Sequence, residues 1–202
     1  MDREVIIIGA GGHGKVVADI IAKSNDKVIG FLDDSNSIER ILTYPVLGKA
    51  SDCNKYQDKE FFLAIGNNET RKRIATEYPM LKFYTAIHPS AIISENVNIS
   101  EGACVMAGAV INSSAEIGKH CIINTSSVIE HDDIISDFVH ISPGAVLCGT
   151  VIVGECTHIG AGATVKNNVK IAPNVVVGAG ATVVDDITEM GIYCGVPARK
   201  LK

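Results

Sequence analysis

From Ile93 to Val183 every sixth residue is Ile, Val or Leu. The series runs Ile93, Ile99, Val105, Ile111, Ile117, Ile123, Ile129, Ile135, Ile141, Leu147, Val153, Ile159, Val165, Ile171, Val177 and Val183. The position two before each is mostly small or β-branched, as in Ala91, Val97, Ala103, Ala109, Ala115, Cys121, Ser127 and Ala181. A helix would repeat near 3.6 and a plain strand at 2. A sustained period of six predicts a hexapeptide β-helix, in which about three repeats close one triangular coil and stacked coils share one core. The position three after each aliphatic residue is rich in Gly102, Gly108, Gly144, Gly162, Asn168, Asn174 and Gly180. Such residues accept the left-handed backbone that a corner requires. From Asp185 the period is lost, so the last residues are expected to cap the open coil.

Residues 1–88 follow a different pattern. Val5–Ile8 is a short apolar run, read as a buried strand. A glycine turn from Gly9 to Gly14 follows it, and Lys15–Lys23 carries Val16, Val17, Ile20 and Ile21 at helical spacing. Val28–Leu32 and Phe61–Ile65 read as further strands, Glu69 to about Tyr78 as a helix stopped by Pro79, and Leu81–Ile87 as a fourth strand. That order implies a small parallel α/β sheet. The expected domains are therefore 1–88 and 89–202, joined at His88-Pro89-Ser90.

Composition narrows the field. The chain has 202 residues and a net charge of −5, with no basic stretch to suggest nucleic acid. Although 47% of its residues are hydrophobic, no apolar run approaches the ~20 residues of a membrane span. The opening residues lack the pattern of a signal peptide, and a cytoplasmic protein is expected. The six cysteines form no CxxC pair and read as free thiols in small sites.

Two segments could carry chemistry. Gly9-x-Gly11-x-x-Gly14 lies between a strand and a helix, with Asp33 nineteen residues after Gly14. Glycines let backbone approach a pyrophosphate, the helix N-terminus attracts its charge, and the acid could hold a ribose hydroxyl. His13, inside the turn, could donate to a phosphate. An NAD-dependent enzyme is one reading; a ligand gripped at a nucleotide diphosphate fits an 88-residue region better. The second segment is Asn124 to Asp133, in which His131 lies two beyond core Ile129 and is flanked by acids that can raise its basicity and fix its tautomer. His140 and His158, eighteen residues apart, should stack on one face. No metal-ligand spacing accompanies these histidines, so no metal is expected.

These segments carry a resemblance. Gly9–Gly14, Phe31–Asp34, Ala64–Glu69, Asn124–Asp132 and Gly195–Ala198 together resemble the sugar acyltransferases that join a small Rossmann-like N-terminal domain to a left-handed β-helix. Within these, the nucleotide-amino-sugar N-acetyltransferases of the PglD type are most similar, and the sialic acid O-acetyltransferases share the plan. The resemblance implies a homotrimer with acetyl-CoA in the groove between β-helices, and acetyl transfer to the 4-amino group of a UDP-linked sugar. Sialic-acid-type O-acetylation is the alternative; a non-catalytic scaffold and a carbonic-anhydrase-like protein are remoter ones. It implies His131 as general base, tuned by Asp132 where those enzymes carry Glu, and the Gly149 amide as oxyanion donor. It puts the nucleotide on Gly11, Gly12, His13, Asp33, Asp34 and Gly66, and the coenzyme near His140, Ala161 and Ala179.

Overall fold

A computed structural model describes residues 3–35 and 39–201. Its contacts divide the chain into two units, Met1–Pro89 and Ser90–Lys202.

In the first unit, strand β1 (Glu4–Ile8) leads through the glycine turn into helix α1 (Gly12–Lys23). Strands β2 (Lys27–Leu32), β3 (Arg40–Ile41), β4 (Tyr44–Gly48) and β5 (Glu60–Leu63), helix α2 (Asn68–Glu77) and strand β6 (Lys82–Phe83) follow. The sheet order is β3-β4-β2-β1-β5-β6. β1, β2, β4, β5 and β6 are parallel, and β3 turns back antiparallel on β4 at one edge. Four fully buried residues from Val5 to Ile8 explain why β1 reads as an unbroken apolar run: a central parallel strand is covered on both faces.

The turns add detail that periodicity does not carry. α1 starts at Gly12, earlier than the Lys15 expected from its apolar spacing, and it buries Val17, Ala18, Ile20 and Ile21 while Val16 stays exposed. α2 is capped by Asn67, whose side-chain oxygen accepts the Thr70 N–H at 2.9 Å. The expected fourth strand divides into β6 and a separate pair, Ala86–Ile87. The β3–β4 hairpin and the 3₁₀ helix Ala50–Tyr56 were not expected, because Pro45 and the polar stretch around Asp52 obscure any regular period.

The second unit is a left-handed parallel β-helix. Nearly every strand is two residues long and pairs in parallel with the strand eighteen residues on, as Val110–Ile111 does with Val128–Ile129. Three faces result. The first includes Cys104–Val105, Ile122–Ile123, His140–Ile141, His158–Ile159 and Val175–Val177. The second runs from Ile92–Ile93 through Val128–Ile129 and Val146–Leu147 to Thr182–Val183. The third runs from Asn98–Ile99 through Ile134–Ile135 to Lys170–Ile171.

The aliphatic column points inward and, with the small residues two before it, fills the prism axis. Every sixth residue from Asn96 to Gly180 has positive φ. The corner rule therefore holds even where the sequence offers Ser114, His120, Phe138, Thr150 or Cys156 in place of Gly or Asn. Stacking overrides the local preference at those positions. Beyond the repeat, Ile187 bridges to Ile171, and a hairpin of Gly191–Cys194 with Arg199–Lys200 extends the first face. No helix among the described residues is long and apolar enough to cross a membrane.

Thr150 tests the corner constraint directly. It is exposed, β-branched and held at φ 64°, and the next coil uses Asn168 at the same corner with φ 62°. Thr150→Asn is expected to raise unfolding free energy by about 1 kcal/mol, read from chemical denaturation, because Asn tolerates this region at lower steric cost.

Candidate functional site

The glycine turn, Asp33-Asp34 and Gly66 follow the C-terminal ends of β1, β2 and β5, whose last residues Ile8, Leu32 and Leu63 lie side by side. This is the edge of a parallel sheet where loops meet to hold ligands. The three glycines of the motif divide by role. A methyl group at Gly14 would stand 2.3 Å from the Gly9 carbonyl oxygen, and one at Gly9 would stand 2.8 Å from the Ala64 oxygen. Gly9 also has φ 109°. These two make the turn possible. Gly11, Gly12 and Gly66 are exposed, and an added methyl would meet nothing within 4 Å. They border open space, where a ligand can approach the backbone.

α1 opens at Gly11 with no side-chain cap and no acid in its first turn, so its first N–H groups and the positive end of its dipole face that space. His13 lies against Phe62, with ring centroids 6.3 Å apart. Burial, assisted by the Arg71 charge, lowers its pKa to about 4, so the imidazole is neutral at pH 7. Its Nε2 is buried without a hydrogen-bond partner.

Asp33 is occupied by the protein. Its oxygens accept N–H groups of Ala10 at 2.7 Å and Ser35 at 2.9 Å, tying the glycine turn to the loop after β2. Asp34 accepts the Ala50 N–H at 3.1 Å. Each carboxylate keeps further acceptor capacity.

Arg71 was missed by sequence reasoning. It is 1% exposed and donates to the carbonyls of Ile65 at 2.8 Å and Gly66 at 3.3 Å, and to Asn68 Oδ1 at 2.9 Å. It fixes the Gly66 loop from beneath. Nothing in the helical pattern of Glu69–Tyr78 marks this arginine as inward-facing.

On the β-helix, His131, Asp132 and Gly149 come together at the corner between the second and third faces. Asp132 is the left-handed corner residue, with φ 61°, and this conformation folds its carboxylate back onto the ring, 2.7 Å from His131 Nδ1. That hydrogen bond is the main cause of a His131 pKa raised above 6.5. Gly149 occupies the same corner one coil on. A methyl there would stand 2.6 Å from His131 Nε2 and 2.7 Å from Cε1, so the imidazole lies directly over Gly149 and a larger residue would push it aside. The Gly149 carbonyl accepts from Asn168 and the His131 carbonyl from Thr150, while the Gly149 N–H donates to no group among the described residues.

The residues expected to meet the coenzyme lie elsewhere on the prism. His140 is on the first face beside His158, the two rings tilted by 31° with centroids 4.6 Å apart, and its Nε2 is 3.1 Å from the Asn124 amide nitrogen. Ala161 and Ala179 are exposed, eighteen residues apart, at the corner between the first and second faces. Within one chain the second face therefore separates these alanines from the His131 corner.

Residues 4–78 match the family described as the PglD N-terminal domain. A UDP-N-acetylbacillosamine N-acetyltransferase of Bacillus subtilis is 42% identical over 112 residues, which is 52% of each chain, so the chain spans about half the length of that curated relative. Among solved structures, the acetyltransferase domain of PglB from Neisseria gonorrhoeae in complex with acetyl coenzyme A aligns over 100% of both chains, with 35% identity and a TM-score of 0.95. PerB from Caulobacter crescentus in complex with CoA and GDP-perosamine aligns over 98% of this chain and 97% of its own, with 36% identity and a TM-score of 0.93.

The His131–Asp132 contact sets a titration that can be observed without any substrate. With Asp132 present, the imidazolium is favoured and the midpoint lies above the usual 6.5. Asp132→Asn should bring the midpoint down, followed through the His131 ring protons by NMR; an unchanged midpoint would mean the carboxylate does not reach the ring in solution.

Proposed function

The chain belongs to the PglD-type family of sugar acetyltransferases, and we propose that it transfers an acetyl group from acetyl-CoA to the amino group of a nucleotide-linked amino sugar. The observation that carries the reading is the His131–Asp132 pair lying over Gly149, a base beside an unengaged backbone donor. We assign UDP as the nucleotide, in keeping with the name of the Bacillus relative, and the 4-amino group of the sugar as the acceptor. The bound GDP-perosamine of PerB makes a guanosine nucleotide the competing choice.

The chemistry follows from the groups present. A neutral amine attacks the thioester carbonyl, the C–N bond forms and the C–S bond breaks. His131 Nε2 takes the proton that the nitrogen must lose, a contribution of roughly 10²–10⁴-fold for a positioned base. The imidazolium can then return a proton to the departing thiolate, so the balance closes without a covalent enzyme intermediate. Asp132 on Nδ1 holds the tautomer in which Nε2 is the free acceptor and stabilises the imidazolium. The Gly149 N–H can meet the negative charge that develops on the carbonyl oxygen, an effect worth about 3–4 kcal/mol where such donors have been removed.

The glycine turn supplies binding. The uncapped N-terminus of α1 and the open space over Gly11 and Gly12 suit a diphosphate, with Asp34 and Gly66 on the neighbouring loops. His140, Ala161 and Ala179 are assigned to the coenzyme, in a groove completed by a second subunit. The second face presents Ile92, Val110, Val128 and Val146 outward, an apolar ladder suited to burial in a homotrimer.

Thiol release from acetyl-CoA, measured with UDP-, GDP- and dTDP-amino sugars and with free sialic acid, tests the reading; silence with every acceptor would refute it. His131→Ala should lower kcat by at least about 10²-fold while nucleotide-sugar binding by calorimetry persists. Gly11→Val should raise KM for the nucleotide sugar at unchanged melting temperature, because the added side chain enters open space rather than the protein. An unchanged KM would remove the turn from the binding site.

A further inference from the structure

Asp133 is the one carboxylate among the buried polar residues of the β-helix, and it is fully buried. It stands two before core Ile135, in the inward column that other coils fill with Ala103, Ala109, Ala115, Ala145, Ala163 or Ala181. The same position on the coils either side is Ala115 and Val151, both buried in the apolar core. A carboxylate there is costly unless its oxygens are satisfied. Both are: Oδ1 accepts the Val151 N–H at 2.7 Å, and Oδ2 accepts the Glu130 N–H at 3.0 Å, a donor it shares with the Leu147 carbonyl at 3.2 Å.

Those two amides belong to two different turns. Glu130 immediately precedes His131. Val151 lies two after Gly149, on the next coil. In coils with Ala in the column, the inward residue's own N–H closes its turn locally, as Ala145 N–H does on the Ser142 carbonyl and Ala163 N–H on the Gly160 carbonyl. At Val151 that bond is replaced by the reach to Asp133. The turn that carries Gly149 is thus held by a side chain from the turn that carries His131. Thr157, another inward residue, likewise accepts the N–H eighteen residues on, from Val175 at 3.2 Å, and it is neutral.

We propose that Asp133 is a positioning residue for acetyl transfer: its carboxylate staples the turn of the base to the turn of the Gly149 amide and sets the distance between the two. This rests on the acetyltransferase reading of the same site. Asp133 touches no substrate and acts only through the two backbone segments. The charged groups facing it are Glu130 and His131 of its own turn, with only the Val151 amide and apolar side chains from the neighbouring coils. Burial raises its pKa to about 7 against the pull of its two hydrogen bonds, and its negative charge in turn helps to raise that of His131. A raised carboxylate pKa favours the folded state below the unfolded value near 4 and loses that contribution as pH rises through about 7.

Two variants test the staple. Asp133→Asn keeps the shape but faces one of the two N–H groups with an NH₂. Asp133→Ala installs the residue other coils already use, so folding is secure. For both, kcat should fall about tenfold or more, in line with the cost of a small misplacement, while KM for acetyl-CoA and for the nucleotide sugar stays within about twofold. The acidic limb of the pH–rate profile should move to lower pH, since His131 loses a negative neighbour. Amide hydrogen exchange at Val151 should quicken in Asp133→Asn, while Glu130 keeps its bond to the Leu147 carbonyl. Wild-type kcat and pH profile in both variants would overturn the proposal, as would a joint loss of kcat and KM with a lowered melting temperature, the mark of a merely structural role. A wild-type protein inactive on every acceptor would instead end the acetyl-transfer reading, and is recognised without either variant.

Discussion

The left-handed backbone at every sixth residue is the constraint on which the β-helix depends. Each corner turns the chain so that the next two-residue strand lies on a new face and the strand eighteen residues on falls into register with the first. Two-residue strands have little stability of their own. They persist because those inside each face are paired above and below and because each contributes an aliphatic side chain to a shared axis. The corners are also what makes chemistry possible. A residue just before the left-handed position is thrust outward, and its counterpart one coil away lies directly beside it. His131 and Gly149 are such a pair. The prism thus supplies rigid placement of the kind that acid–base and oxyanion chemistry require.

The two histidines that matter experience opposite environments. His13 is enclosed beside a buried guanidinium and stays neutral across the physiological range. His131 is exposed, and its acidic neighbour makes it a stronger base. Buried neutrality would suit the phosphate contact expected of His13 from the sequence. Exposure with a bound carboxylate suits a group that must accept a proton and release it.

Much of this was legible in the chain. The aliphatic period announced the β-helix, its axis and its corners without ambiguity, because a solenoid repeats one local rule many times. The glycine turn was legible for the same reason: few alternatives satisfy so many glycines between a strand and a helix. The roles of the individual glycines were not legible. Gly9 and Gly14 permit the turn while Gly11 and Gly12 border the open space, a division that depends on where Ala64 and the Gly9 carbonyl come to rest. The β3–β4 hairpin escaped because strands of two and five residues, the longer with a proline, carry no period. Arg71 escaped because its target is the carbonyl edge of a loop, which no residue type advertises. Asp133 did leave a trace, as the one charge in a column otherwise of small, β-branched and uncharged residues, but its meaning required knowing that Val151 lies one coil away.

The fixed length of a coil also restricts how this half of the molecule can change over evolutionary time. Adding or removing anything other than a whole turn of the prism would rotate every later side chain onto the wrong face, so gains and losses here are quantised. One extra turn at the far end would merely lengthen the rod. The same turn inserted between Asp133 and Gly149 would separate the imidazole from its glycine and carry the Val151 amide away from the carboxylate, which would keep only Glu130.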